Sequence, residues 1–347
     1  MQPDLESMLT QIKNQVNSVN DVGELRAIHD RMPEVAFQLK ANLIDSAEIL
    51  SFVNRWHDKL TSRVIQLVLA TMEQEGWGPP PSPFCWLLLG SGGRGEQTLQ
   101  PDQDNAILYL EEQSGQKDRG KAYFQTLAER VVGSLAEIGY PYCPGYVMAT
   151  NQRWNLSLSD WKQKVEGYLS YPDWDNVRFL MLIGDIRPLH GDLEIAAQFR
   201  DWFMEQMKEH SFVHWQIADH GLSHKVGLDF FDRFRVGRWG EHTGELNIKE
   251  GGYLQIVNAT RLWSLAHRIH AASTVERIKL LRDQQVWKNE LAIQVMKALH
   301  VFLRYRLWSN YVTPDKLSES EAFELKEAMT TARYLQKLTA KQFRKPK

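Results

Sequence analysis

Apolar residues recur at spacings of three and four along most of the chain, and condense into short unbroken runs only in its middle. The first pattern predicts amphipathic helices, the second buried strands. Residues 4–76 read as helices, with "ELRAIHDRMPEVAFQLKANL" and "AEILSFVNRWHDKLTSRVIQLVLATM" carrying the clearest stripes. Asp45 and Ser46 start the second, with Glu48 in its first turn. "GWGPPPSP", residues 76–83, stops it, because three consecutive prolines cannot continue a helix and make a stiff connector. "FCWLLLG" (84–90) and "DNAILYL" (104–110) then read as strands, and "GKAYFQTLAERVVGSLAEIG" (120–139) as a helix stopped by Gly139. "YCPGYVMAT" (142–150) is a candidate third strand, interrupted by Pro144 and Gly145. From about residue 156 the helical period returns and continues to the C-terminus, opening on the Ser/Asp cap chemistry of "SLSDWKQKVEGYL".

This order predicts a mostly helical α+β protein: a small sheet between an N-terminal helical segment and a C-terminal helical bundle. The expected divisions are 1–76, 77–150 and 151–347, with the bundle forming the second wall of a cleft.

Composition narrows the class. Of 347 residues, 43% are hydrophobic and 24% charged, as in ordinary globular proteins, and the formal net charge of −2 supplies no basic field for nucleic acid. The N-terminus lacks a signal-peptide pattern, and no apolar run is long enough to span a membrane. Cys85 and Cys143 stand far apart and outside any C-x-x-C pair, which fits a reduced chain and argues against zinc. A cytoplasmic protein with no membrane or nucleic-acid partner is the expectation.

The candidate chemistry lies in "LLLGSGGRGEQTLQPDQDNAILYL", residues 87–110. Gly90, Gly92 and Gly95 spell G-x-G-x-x-G, but no long helix follows and no acid closes a second strand, so the dinucleotide-binding context fails. A P-loop is excluded because no G-K-[ST] follows. Asp102 and Asp104, two apart at the start of a predicted strand, point to one face. Two adjacent carboxylates repel unless a cation lies between them, and Mg²⁺ takes one or two carboxylates together with substrate phosphates. The Gly90-Ser91 bend offers backbone N–H groups and a hydroxyl to those phosphates. The alternative is an ordinary Pro-Asp turn without chemistry.

The same residues resemble the signature of the DNA polymerase β-like nucleotidyltransferase superfamily. More narrowly, "LGSGGRGEQTLQPDQDNAILY", "CPGYVMATNQRWNLSLSDW", "GDIRPLHGD" and "ELNIKEGGYLQIVNATRLWSLAH" resemble a bacterial nucleotidyltransferase family of unassigned function. It is related to the uridylyltransferases that modify a nitrogen-regulatory signal protein. The resemblance implies Mg²⁺ or Mn²⁺ on Asp102 and Asp104, with a nucleoside triphosphate held by Gly90, Ser91, Gly92, Arg94 and Glu96. It also implies an acceptor that could be a protein. Gly92 stands where the family usually has Glu. Active superfamily members use a third carboxylate; Asp185 occupies an acidic family position, but it could instead pair with Arg187 or cap a helix. Lys249 also matches a family position. "DFFDRFR" (229–235) reads either as a helix face or as a cleft wall. Two functions follow: nucleotidyl transfer, or nucleotide binding without turnover in a signalling module.

Overall fold

The computed structural model describes residues 4–111, 117–208 and 210–346. Helix makes up 63% and strand 8%, so the mostly helical α+β class holds. The chain divides into two compact units, Met1–Glu166 with Asp185–Arg200, and Gly167–Gly184 with Asp201–Lys347. The N-terminal helices and the sheet therefore share one unit.

That unit opens with α1 (Leu5–Ser18), α2 (Val22–Asp30), α3 (Met32–Ala41) and α4 (Ser46–Gln74). Asp4, Asp21 and Asp45 cap α1, α2 and α4 by accepting from backbone N–H groups of the first turn. The stripe read as continuous over 24–43 breaks at Arg31, and Pro33 enters α3 in its first turn, where a missing N–H costs nothing. On α4, Ile49, Val53, Trp56, Leu60, Val64 and Val68 are buried at helical spacing.

β1 (Phe84–Leu88), α5 (Gly90–Arg94), β2 (Asn105–Tyr109), α6 (Lys117–Glu137), β3 (Asn155–Ser157), α7 (Leu158–Ser170), α8 (Trp174–Ile183), β4 (Arg187–Gly191) and α9 (Leu193–Lys208) follow, of which α8 and the C-terminal parts of α7 and α9 belong to the second unit. The sheet order is β3-β2-β1-β4, with β1 antiparallel to β2 and β4, and β2 parallel to β3. β1 and β2 are buried throughout, as their unbroken apolar runs predict. Phe124 of α6 stacks on Tyr109 and meets Phe84. Trp161 of α7 packs between Trp154 and Phe199, and its indole N–H donates to the Ile107 carbonyl at 3.0 Å. Gly139 ends α6 as expected: at φ +115°, it lets Tyr140 N–H reach back to the Leu135 carbonyl at 2.9 Å.

Two strand expectations need correction. Residues 142–150 form turns, not a strand, because the Asn105 amide oxygen accepts the Ala149 N–H (2.8 Å) and Asn105 N–H donates to the Val147 carbonyl (3.1 Å). The third strand in sequence is instead the three-residue β3, just before α7. The run "NVRFLMLIGDIRPLHGD", read as helical, is α8 followed by the edge strand β4, where Pro188 is tolerated.

The second unit adds α10 (Ser211–Gly221), β5 (Leu246–Asn247), a π-helical turn (Lys249–Tyr253), α11 (Leu254–Ala266), α12 (Thr274–Asp283), α13 (Asn289–Arg306), β6 (Tyr311–Val312), a 3₁₀ turn (Pro314–Lys316) and α14 (Glu319–Gln342). α11 is buried on almost every side and packs against α10, α12 and α14. "DFFDRFR" is not helical: the Asp229 carboxylate accepts the N–H groups of Phe231 and Arg233 and closes a turn there. No helix among the described residues is long and apolar enough to cross a membrane.

Candidate functional site

The sheet register gathers the motif. Asn105 lies opposite Leu88 on one side of β1, and Arg187 lies opposite Leu88 on the other. The end of β1 is thus flanked by the beginnings of β2 and β4. The turn after β1, the segment before β2 and the segment before β4 meet at one end of the sheet.

Asp102 and Asp104 sit in the extended stretch just before β2 rather than on the strand itself, since regular pairing begins at Asn105. The period of two nevertheless holds. Pro101, Gln103 and Asn105 are buried, while Asp102 and Asp104 are half-buried on the opposite face. The stretch is pinned along its length. Leu89 N–H donates to the Asp104 carbonyl and Gln103 N–H to the Pro141 carbonyl, both at 3.0 Å. The Gln103 amide nitrogen donates to the carbonyls of Val132 (3.1 Å) and Tyr140 (3.0 Å). Gln103 and Asn105 face away from the carboxylates, as the alternation implies.

The carboxylates of Asp102 and Asp104 and the thiol of Cys143 bring one ligand atom each within 4.8 Å of one another. Among the described residues this group of three is completed by a cysteine, not by a third acid. Burial first, and the neighbouring Asp104 charge second, push the Cys143 thiol up to about 12, so it stays protonated at neutral pH. The set suits a hard, oxygen-seeking divalent cation held by two carboxylates, with a neutral thiol at its edge.

Gly90 fits the same geometry. Its φ of +51° lies in the left-handed region, and a Cβ there would overlap the Asp104 carboxylate. Backbone and carboxylate therefore approach as closely as a glycine permits. Ser91 is half-buried beside it. α5 is pressed equally hard from the β4 side: a Cβ on Gly93 would overlap the Asp185 carbonyl and come within 2.9 Å of the Leu88 carbonyl.

The charged residues of the motif form a buried network. Arg94 donates to Glu96 at 2.8 Å and to Asp185 at 2.5 Å, and all three side chains are at least nine-tenths buried. Arg94 and Glu96, expected to hold the triphosphate, pair with each other inside the protein. Asp185 is fully buried, lies outside the Asp102–Asp104–Cys143 group, and pairs with Arg94 rather than Arg187. Arg187 turns elsewhere. It makes two hydrogen bonds to the Asp58 carboxylate (2.9 and 2.8 Å) and two to the Gly92 carbonyl (3.2 and 2.9 Å).

α4 also grips the loop between the turn and the acids. Asn54 accepts from Gln97 N–H (2.8 Å) and donates to the Gln97 carbonyl (3.1 Å). His57 Nε2 faces the Thr98 carbonyl (3.0 Å), which can only accept, so Nε2 carries the proton. Nδ1 then accepts from the Tyr140 hydroxyl at 2.7 Å. Sequence reasoning missed Asn54, His57, Asp58, Cys143 and Arg187. The motif-like "CPG" and "DIRP" strings are the only signals for the last two, and nothing local marks the three α4 residues.

Residues 30–175 match the family model described as "Putative nucleotidyltransferase DUF294", and residues 211–343 match "Putative nucleotidyltransferase substrate binding domain". The chain belongs to this nucleotidyltransferase family. Gly90, Ser91, Asp102, Asp104 and Cys143 all fall within the first match, whereas Asp185 and Arg187 fall between the two. No curated protein matches the chain.

Proposed function

We propose that the protein is a nucleotidyltransferase dependent on Mg²⁺ or Mn²⁺. It moves a nucleoside monophosphate from a nucleoside triphosphate to an acceptor, with a protein as the acceptor class. The observation that carries this reading is the convergence of two half-buried carboxylates on a glycine bend that touches one of them. Asp102 and Asp104 would hold the cation. The cation supplies charge neutralisation at the phosphates of the bound triphosphate. The first N–H groups of α5, which a helix start leaves without intrahelical partners, and the Ser91 hydroxyl would orient those phosphates. Arg94, Glu96 and Asp185 act one step back: their buried network fixes the end of α5. Arg187 holds the Gly92 carbonyl, which keeps the turn's N–H groups directed at substrate. Attack by the acceptor oxygen on the α-phosphorus releases pyrophosphate.

One observation favours a second reading, nucleotide binding without turnover. The third member of the carboxylate group is a protonated thiol, and Asp185, the expected third carboxylate, is engaged with Arg94. The test is incubation of the chain with each α-labelled nucleoside triphosphate, Mg²⁺ and host lysate. Transfer predicts a labelled acceptor protein, lost to background in the Asp102→Asn, Asp104→Asn double variant, whose helical circular dichroism stays intact. Triphosphate binding by equilibrium dialysis without any label would establish the second reading. Unchanged metal-dependent binding in the double variant would sink both.

A further inference from the structure

A separate feature of the first unit is a groove along α1 and α4. Lys13 and Asn17, one turn apart on α1, face Arg55, Asp58, Lys59, Ser62, Arg63 and Gln66, which share one face of α4. The groove encloses about 370 Å³, within the range of small-ligand sites. Four of its eight lining residues are cationic and one is acidic.

The charge balance is more lopsided than that count. Asp58, the single acid, already meets Arg187 through two hydrogen bonds, so its charge is compensated from outside the groove. Arg55 pairs with Glu6. Arg63 spends its guanidinium on a neutral acceptor, the Val19 carbonyl, through Nε (3.1 Å) and Nη2 (2.5 Å). Among the described residues, Lys13, Lys59 and Arg63 have no carboxylate within salt-bridge distance. Three cations without a salt-bridge partner therefore share one concave surface. The Lys59 ammonium is held below its ordinary range by partial burial, then by Lys13 and Arg55, against the opposing charges of Asp58 and Glu6.

A concave surface lined by charges of one sign concentrates counter-ions of the other. We infer that this groove is a binding site for a polyvalent phosphate anion, separate from the triphosphate turn, with Lys13, Lys59 and Arg63 supplying the charge and Asn17, Ser62 and Gln66 the neutral hydrogen bonds. The lining contains no aromatic or aliphatic side chain on which a base could stack. That selects the phosphate chain itself, as in inorganic pyrophosphate or tripolyphosphate, over a nucleotide. The fixed guanidinium of Arg63 and the two mobile ammonium groups match a short chain bearing several charges.

The test is calorimetric titration of the full chain with inorganic pyrophosphate in the presence of a chelator, so that no divalent cation bridges the ligand to Asp102 and Asp104. Wild type and the Asp102→Asn, Asp104→Asn variant should bind alike. Lys13→Gln with Lys59→Gln should weaken binding by about tenfold per lysine, the worth of one charge-assisted contact. Both lysines are at least partly exposed, and an unchanged circular-dichroism spectrum checks that the variant folds. Absence of binding to wild type, or equal binding by the lysine variant, overturns the site. Clearly tighter binding in the aspartate variant, as repulsion from the two carboxylates is relieved, would place the anion at the triphosphate turn instead and equally overturn it. A parallel titration with ADP settles the source of the phosphate: ADP binding tenfold tighter than pyrophosphate, and lost in the lysine variant, would overturn the assignment to an inorganic anion. The outcome is independent of whether the chain transfers nucleotides.

Discussion

Three aspartates that look alike in sequence differ in energetics once their surroundings are known. Asp102 and Asp104 are half-buried and face each other, so without a cation each destabilises the other. Replacing both by Asn is expected to leave the metal-free melting temperature unchanged or higher, while Mn²⁺ binding followed by electron paramagnetic resonance disappears. Asp185 is buried against Arg94, and Asp185→Asn leaves a buried guanidinium short of one partner. A loss of about 3–5 kcal/mol in urea unfolding is expected, the usual cost of breaking a buried pair. The glycines separate in the same way. Gly90→Ala combines left-handed strain of roughly 1–2 kcal/mol with displacement of the Asp104 carboxylate, so stability and Mn²⁺ binding should both fall. Gly95 has a similar φ of +69° but open space around its Cβ position. Gly95→Ala should cost stability alone, and loss of Mn²⁺ binding in it would count against the Gly90–Asp104 contact as the cause.

At the scale of elements, the alternation across 101–105 is the device that makes the site. Gln103 on the buried side binds the Val132 and Tyr140 carbonyls, and this leaves the aspartates on the open side. Gln103→Ala removes both of these hydrogen bonds. It should cost about 1–3 kcal/mol and weaken Mn²⁺ binding without touching a ligand, measured by urea titration and metal titration on the same sample. β1 and β2 were legible because both are buried throughout and so read as unbroken apolar runs. β3 and β4 were not, for opposite reasons. β3 has only three residues and exists because β2 offers it a pairing edge. β4 follows α8 so closely that the helical period of "VRFLMLIGD" reads on into it, and only its pairing with β1 makes it a strand. Residues 142–150 show the reverse case: an apolar, strand-like string held in turns by the side chain and backbone of Asn105.

At the scale of the molecule, burial of neutral histidines sets the response to acid. His57 is fully buried between Tyr140 and the Thr98 carbonyl, and burial lowers it from 6.5 to about 3. The unfolded chain takes up this proton below about pH 6.5 while the folded chain refuses it until about pH 3. Its contribution is therefore complete above the unfolded value and is lost as pH falls across that window, by about 1.4 kcal/mol per unit. His57→Gln should be less stable than wild type at pH 7, yet show a flatter decline between pH 6 and 4 in urea midpoints. Equal slopes would mean that His57 is not buried neutral. His214 in the second unit, lowered to about 4 by burial, gives that unit an acid dependence of its own. The helices before the prolines at 79–81 share one compact unit with the sheet after them. α4 earns that place through Asn54, His57 and Asp58, which no local pattern could mark.

By itself, the sequence determined what is encoded within a few residues. The helical stripes and their caps, the two apolar strands, the glycine bend and the pair of same-face acids follow from periods of 3.6 and 2 and from the backbone freedom of glycine. Only the tertiary structure decided which charges meet. Arg94 finds Asp185 across 91 positions, Arg187 finds Asp58 across 129, and Cys143 rather than an acid completes the carboxylate group. The strength of such pairings depends on distance and on the exclusion of water. Both are properties of how elements pack, and neighbours along the chain carry no record of them.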